Sequence, residues 1–132
     1  STSSYRQNFG AYTRLFNNYE PSISSVENDK SYGGNYKTNI GTLSLDECVL
    51  AGASYGQSNN SFFLYTGSTY FTLSPAYYNG QANVAVINQL GRIDALPVNY
   101  ERTTIPVVYL SNTANLKGTG TINDPYLLDL EE

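Results

Sequence analysis

The sequence predicts an α+β fold: N-terminal helices packed on a mostly antiparallel sheet, in a single globular domain over residues 1–132. Three observations point there. A chain of 132 residues is the size of one domain with one core. Its first half carries helical spacing and a helix-start signature, and beyond Gly56 the apolar pattern shortens to a period of two.

Tyr5, Phe9, Tyr12, Phe16 and Tyr19 are spaced alternately by four and three, which places them on one helical face. Pro21 disfavours helical geometry at Glu20, so this helix is expected to end near Asn17 to Tyr19. Ser22 to Asn39 has no sustained period and reads as loop. The clearest helix is Ser44 to about Ala51. Ser44 and Glu47 form an S-x-x-E capping box, Leu43 and Cys48 a hydrophobic staple, and Asp46 and Glu47 place anions at the helix start. Gly52 suits the left-handed residue that closes a helix.

Strands are expected over Ser61 to Tyr65, Tyr70 to Leu73, Asn83 to Asn88, Arg92 to Ala95, Pro106 to Leu110 and Tyr126 to Leu128. Turn residues separate them at Thr66-Gly67-Ser68, Asn79-Gly80, Gln89-Leu90-Gly91 and Lys117 to Pro125. The run Val84 to Ile87, a Gly-containing turn and then Arg92-Ile93 reads as a hairpin.

Composition narrows the function. Only 14% of residues are charged, 13 are Tyr, and there is no His, Trp or Met and a single Cys. Histidine acid–base chemistry, His-containing metal sites and an intrachain disulfide are therefore excluded. The seven basic residues are scattered and the net charge is −4, so no nucleic-acid partner is expected. No apolar run approaches the roughly 20 residues of a membrane span. With no initiator Met, the chain is expected to be a mature or trimmed piece whose targeting signal, if any, lay upstream. Sparse charge and abundant Tyr, Asn, Ser and Thr fit an extracellular or cell-surface location.

Residues 28–128 carry a series of segments in order: Asn28-Asp29-Lys30, Ile40 to Glu47 followed by Ala51-Gly52, Tyr70 to Pro75, Gly91-Arg92-Ile93, Ile105 to Leu110 and Gly118 to Tyr126. In these the chain resembles the C-terminal globular domains of prepilin-like and other exported surface proteins of Gram-positive bacteria. Residues 1–27 fall outside the resemblance. The block from Tyr70 to Leu110 is also similar to the end of C-type-lectin-like domains, including the formylglycine-generating-enzyme group. It departs from them at Phe71, where that group has Trp, and at Ile105, where it has Arg. The resemblance implies a C-type-lectin-like second half.

The candidates for chemistry have structural explanations. Asp46 and Glu47 are adjacent on a helix, point about 100° apart, and suit capping. Cys48 has no His to activate it and suits a packed core. Asn28-Asp29 and Asn123-Asp124 suit turn initiation better than a calcium site of about six to eight oxygens. Gly118 to Thr121 lacks the Lys of a phosphate-binding loop. No catalytic residue, metal ligand or cofactor is expected.

What remains is a Tyr-rich surface of paratope-like composition, in which Tyr gives contact area and Asn, Ser and Gly give adaptable hydrogen bonds. The segment Tyr77, Tyr78, Asn79 and Gln81 is the candidate contact face. The expected function is that of a non-enzymatic, extracellular, pilin-like structural domain that self-assembles or contacts its surroundings. The alternative is a lectin-like adhesin module that binds a glycan or a protein.

Overall fold

The computed structural model describes residues 6–16, 38, 40–108, 110, 111, 113–121 and 123–129. In chain order the elements are β1 (Gln7–Asn8), α1 (Gly10–Phe16), β2 (Gly41–Thr42), α2 (Leu45–Leu50), β3 (Ser54–Tyr55), β4 (Tyr70–Tyr78), β5 (Ala82–Ile87), β6 (Arg92–Pro97), β7 (Thr103–Thr104), β8 (Pro106–Val107), β9 (Leu116–Lys117) and β10 (Leu127–Leu128). The main sheet runs β1-β4-β5-β6-β3, with β7 also on the outer side of β4. The pairs β2–β8 and β9–β10 stand apart from it.

The α+β expectation with N-terminal helices packed on a sheet is overturned. The protein is mostly β, about 10% helical, with a sheet curled into a half barrel. The aromatic run that reads as a helix from Tyr5 is interrupted: Gln7 and Asn8 pair with Tyr78 and Tyr77 as a strand, and the helix begins only at Gly10. At seven and six residues, α1 and α2 are each below the length at which a helix holds by itself, so tertiary contacts maintain them. The expected end of the first helix, Asn17 to Tyr19, and the loop residues Asn28 and Asp29 lie outside the described residues.

Three strand expectations also change. Ser61 to Tyr65 forms turns rather than a strand, with the Tyr65 amide donating back to the Phe62 carbonyl at 3.0 Å. Tyr70 to Leu73 continues to Tyr78, because Ser74-Pro75 does not end the strand. Instead the register shifts on both sides of Pro75, and these irregularities accommodate its missing N–H. Pro106 to Leu110 contracts to Pro106–Val107, which pairs with β2.

The core forms on one face of the β4-β5-β6 sheet. Tyr70, Ile87 and Ile93 align across the three strands on that face, joined by Ala85 and Ala95. Leu45 and Cys48 of α2 and Tyr12 and Leu15 of α1 belong to the same cluster. Thr72 donates to the Ala85 carbonyl at 2.8 Å, and Ser74 accepts from the Leu45 amide at 2.9 Å, so the buried hydroxyls are paired. At the far side, β3 pairs with β6 only at Arg92 and Ile93, leaving the rest of β6 as an edge. Asp94, whose carboxylate takes the Ala95 amide, and Pro97, which has no N–H, blunt that edge.

The capping box of α2 is complete. The Glu47 amide donates to the Ser44 hydroxyl at 3.3 Å, and the Ser44 amide donates to the Glu47 carboxylate at 2.7 Å. Replacing Ser44 by Ala is expected to destabilise the protein by about 1 kcal/mol, read from the urea midpoint. An unchanged midpoint would show that the cap contributes nothing.

Candidate functional site

The two tyrosines of the candidate face sit at the end of β4, opposite Asn83 and Ala82 of β5 and opposite Asn8 and Gln7 of β1. Side chains alternate across a strand, so adjacent residues divide between the faces. Tyr77 lies half-buried against the core. Its ring is 5.8 Å from the Tyr12 ring, and the Arg6 guanidinium lies over it at 3.9 Å. This is an anchoring role, in which a cation–π contact and an aromatic pair hold the N-terminal strand and helix to β4. Tyr78 is 49% exposed on the opposite side.

Asn79 and Gln81 flank Gly80 in the tight turn between β4 and β5. Asn83 donates to the Asn79 side chain at 3.2 Å and to the Gln81 carbonyl at 2.8 Å. Gln81 donates to the Asn99 side chain at 3.0 Å. The amides of the segment are thus largely engaged with one another. The structure brings Tyr78 to an open surface, assigns Tyr77 mainly to the core, and uses Asn79 and Gln81 to fasten the turn.

Tyr78 lines a groove of about 360 Å³ beside the second face of the sheet, with Leu73, Pro75, Val84 and Val98, and Tyr77 also contributes to its wall. The register explains its character: Pro75 faces Val84, which faces Leu96, so the row at the groove is apolar, whereas the next row, Phe71 and Val86, ends on Asp94 of β6. Leu73 is 67% exposed there. None of the lining residues is charged. Sequence reasoning missed Leu73, Pro75, Val84 and Val98. The available signal was the unbroken run Val84 to Ile87, since a strand apolar on consecutive positions is apolar on both faces.

The candidates for chemistry are placed as follows. Glu47 is occupied by the capping box, and Asp46 is buried on α2. Cys48 is fully buried, with its sulfur 3.9 Å from the Tyr70 hydroxyl, and burial pushes its thiol up to about 11. It is protonated at neutral pH and out of reach of solvent. The Asp124 carboxylate accepts the Thr119 amide at 2.9 Å, and its own amide donates to Thr121, so it closes a turn. Among the described residues there is no group of three or more His, Cys, Asp or Glu placed to hold a metal ion. No helix among them is long and apolar enough to cross a membrane.

No family model, curated protein or solved structure matches this chain.

Proposed function

We propose that this protein is a non-enzymatic, extracellular, pilin-like structural domain that self-associates through the apolar groove beside Tyr78. The observation that carries the reading is an open groove with no charged residue in its lining, in which the Asn83 side chain is already paired within its own turn. Such a groove recognises a partner by apolar and aromatic burial. A glycan ligand would instead need convergent free donors and acceptors, and Asn79, Gln81 and Asn83 are engaged with their own turn. The extracellular part of the reading is supported by the sparse charge, the Tyr-rich composition and the resemblance to exported surface proteins.

Light scattering over a concentration series is expected to show association of the wild type, with Tyr78→Ala weakening it by about 2 kcal/mol, roughly 30-fold in Kd. Tyr78 is the proper probe because Tyr77 is also a packing residue. Association is expected to change little between low and high salt, since the groove lining carries no charge. A wild type that stays monomeric up to millimolar concentration, or one that dissociates steeply with salt, would refute the proposal.

A further inference from the structure

Asn79 is the only asparagine of the chain that is followed by glycine. It lies in the short connection between β4 and β5, where Asn79, Gly80 and Gln81 are all exposed and join Tyr78 to Ala82, which pair across the turn. Gly80 sits at φ +94°, and a side chain there would meet nothing within 4 Å, so that side of its backbone is open to water. With no Cβ, nothing of its own hinders an approach by its nitrogen.

Three groups of this turn are in a state that favours one reaction. The Gly80 amide nitrogen donates to none of the described residues. The Asn79 side-chain oxygen accepts from the Asn83 side chain at 3.2 Å, and Asn83 is itself buried and anchored by a second bond, to the Gln81 carbonyl at 2.8 Å. That contact draws electron density from the Asn79 side-chain carbonyl carbon and gives a developing oxyanion a fixed donor. The Asn79 side-chain nitrogen, the group to be expelled, donates to no described residue.

We propose that Asn79 is a site of spontaneous covalent modification, converted through a succinimide to isoaspartate and aspartate. The Gly80 nitrogen gives its proton to hydroxide or another solvent base and bonds to the Asn79 Cγ. The Cγ–Nδ2 bond breaks, and ammonia leaves with a proton returned from water. Water then opens the imide ring. Cleavage at Cγ gives aspartate, and cleavage at the Asn79 main-chain carbonyl gives isoaspartate, whose backbone runs through Cβ and Cγ and is one carbon longer. Nothing is oxidised or reduced, and water is the only co-reactant. Each event adds a negative charge to a chain whose net charge is −4, and in the aspartate product that charge lies against Asn83, a residue of the groove wall. Isoaspartate also lengthens the connection between Tyr78 and Ala82, at the end of β4 where Gln7 of β1 pairs as well. The modification goes beyond the self-association reading and does not depend on it.

The test incubates the full chain at mildly alkaline pH beside its Gly80→Ala and Asn79→Gln variants, each checked for folding by a melting curve, and beside a synthetic peptide of residues 76–83. Chromatography and mass spectrometry of proteolytic fragments locate the mass gained when an amide becomes an acid. The wild type is expected to gain it at Asn79 before any other asparagine, as two products of equal mass, isoaspartate and aspartate. Gly80→Ala is expected to slow the conversion by about tenfold or more, equivalent to about 1.4 kcal/mol of barrier, because the added methyl crowds the attacking nitrogen. Asn79→Gln, which cannot close the same ring, is expected to remove the signal from this position. A folded wild type that stays unmodified at Asn79 while the peptide converts would overturn the proposal. So would an equal rate in Gly80→Ala, or aspartate as the sole product, which marks direct hydrolysis without the ring.

Discussion

Gly91→Ala is expected to destabilise the protein by about 3 kcal/mol or more, well beyond the effect of the same change at Gly80. Both glycines end or centre tight turns with positive φ, +70° at Gly91 and +94° at Gly80, where an L side chain costs about 1–2 kcal/mol. Their surroundings differ. A methyl group on Gly80 meets nothing within 4 Å, whereas on Gly91 it would run into the Asn59 carbonyl and crowd the Phe62 ring. Asn59 cannot easily withdraw. Its amide donates to the Leu90 carbonyl at 3.0 Å and its side chain donates to the Gly52 carbonyl at 2.9 Å. Through these bonds the segment after α2 is fastened to the β5–β6 turn, with Phe62 inserted in the core. The clash therefore loosens a long-range contact as well as straining one residue. Urea unfolding of the two variants side by side decides it: equal losses would mean that the close approach of Asn59 is not a determinant of stability.

Stability is expected to fall as pH rises above about 9. Burial raises the Cys48 thiol from 9.0 to about 11, and burial raises the Tyr70 phenol still further from its usual 10.0. In both cases the folded protein holds a proton that the unfolded chain releases. The stabilisation is complete below the unfolded value and is lost as pH climbs toward the folded one. For Cys48 that window is pH 9 to about 11, and two pH units correspond to a loss on the order of 2–3 kcal/mol. Tyr70 extends the loss from pH 10 upward. Cys48→Ala should remove the fall that begins at about pH 9 and leave the burial-driven part of the Tyr70 fall; because Cys48 also contributes to raising Tyr70, the difference between the two profiles reports the thiol below about pH 10. A wild-type profile flat from pH 8 to 10.5, or an identical decline in Cys48→Ala, would contradict the assignment.

Local chemistry was legible wherever the deciding interactions lie within a few residues. The capping box at Ser44 and Glu47, the helix-closing Gly52 and the β5–β6 hairpin with its Asn88-to-Gly91 turn are all short-range constructions, and each appears in the structure. Composition likewise excluded histidine chemistry, because an absent residue is absent in any fold. The architecture was not legible. Whether Gln7-Asn8 is helix or strand depends on Tyr77 and Tyr78, seventy residues away, offering free pairing positions along the edge of β4. Whether Pro75 ends a strand depends on whether β5 can shift register around it. Phe62 and Phe63 alternate as a strand would, but no partner strand meets them, and the backbone turns instead. The groove was half legible. Val84 to Ile87 announces a strand apolar on both faces, but only the tertiary structure decides that helices and core cover one of those faces and leave the other open beside Tyr78. The sequence by itself determined the caps, the turns and the chemistry available, since these are set by neighbours along the chain. The tertiary structure decided the pairing of strands, the depth of Tyr77 and the exposure of Tyr78, because burial is a property of what the rest of the chain brings to a residue.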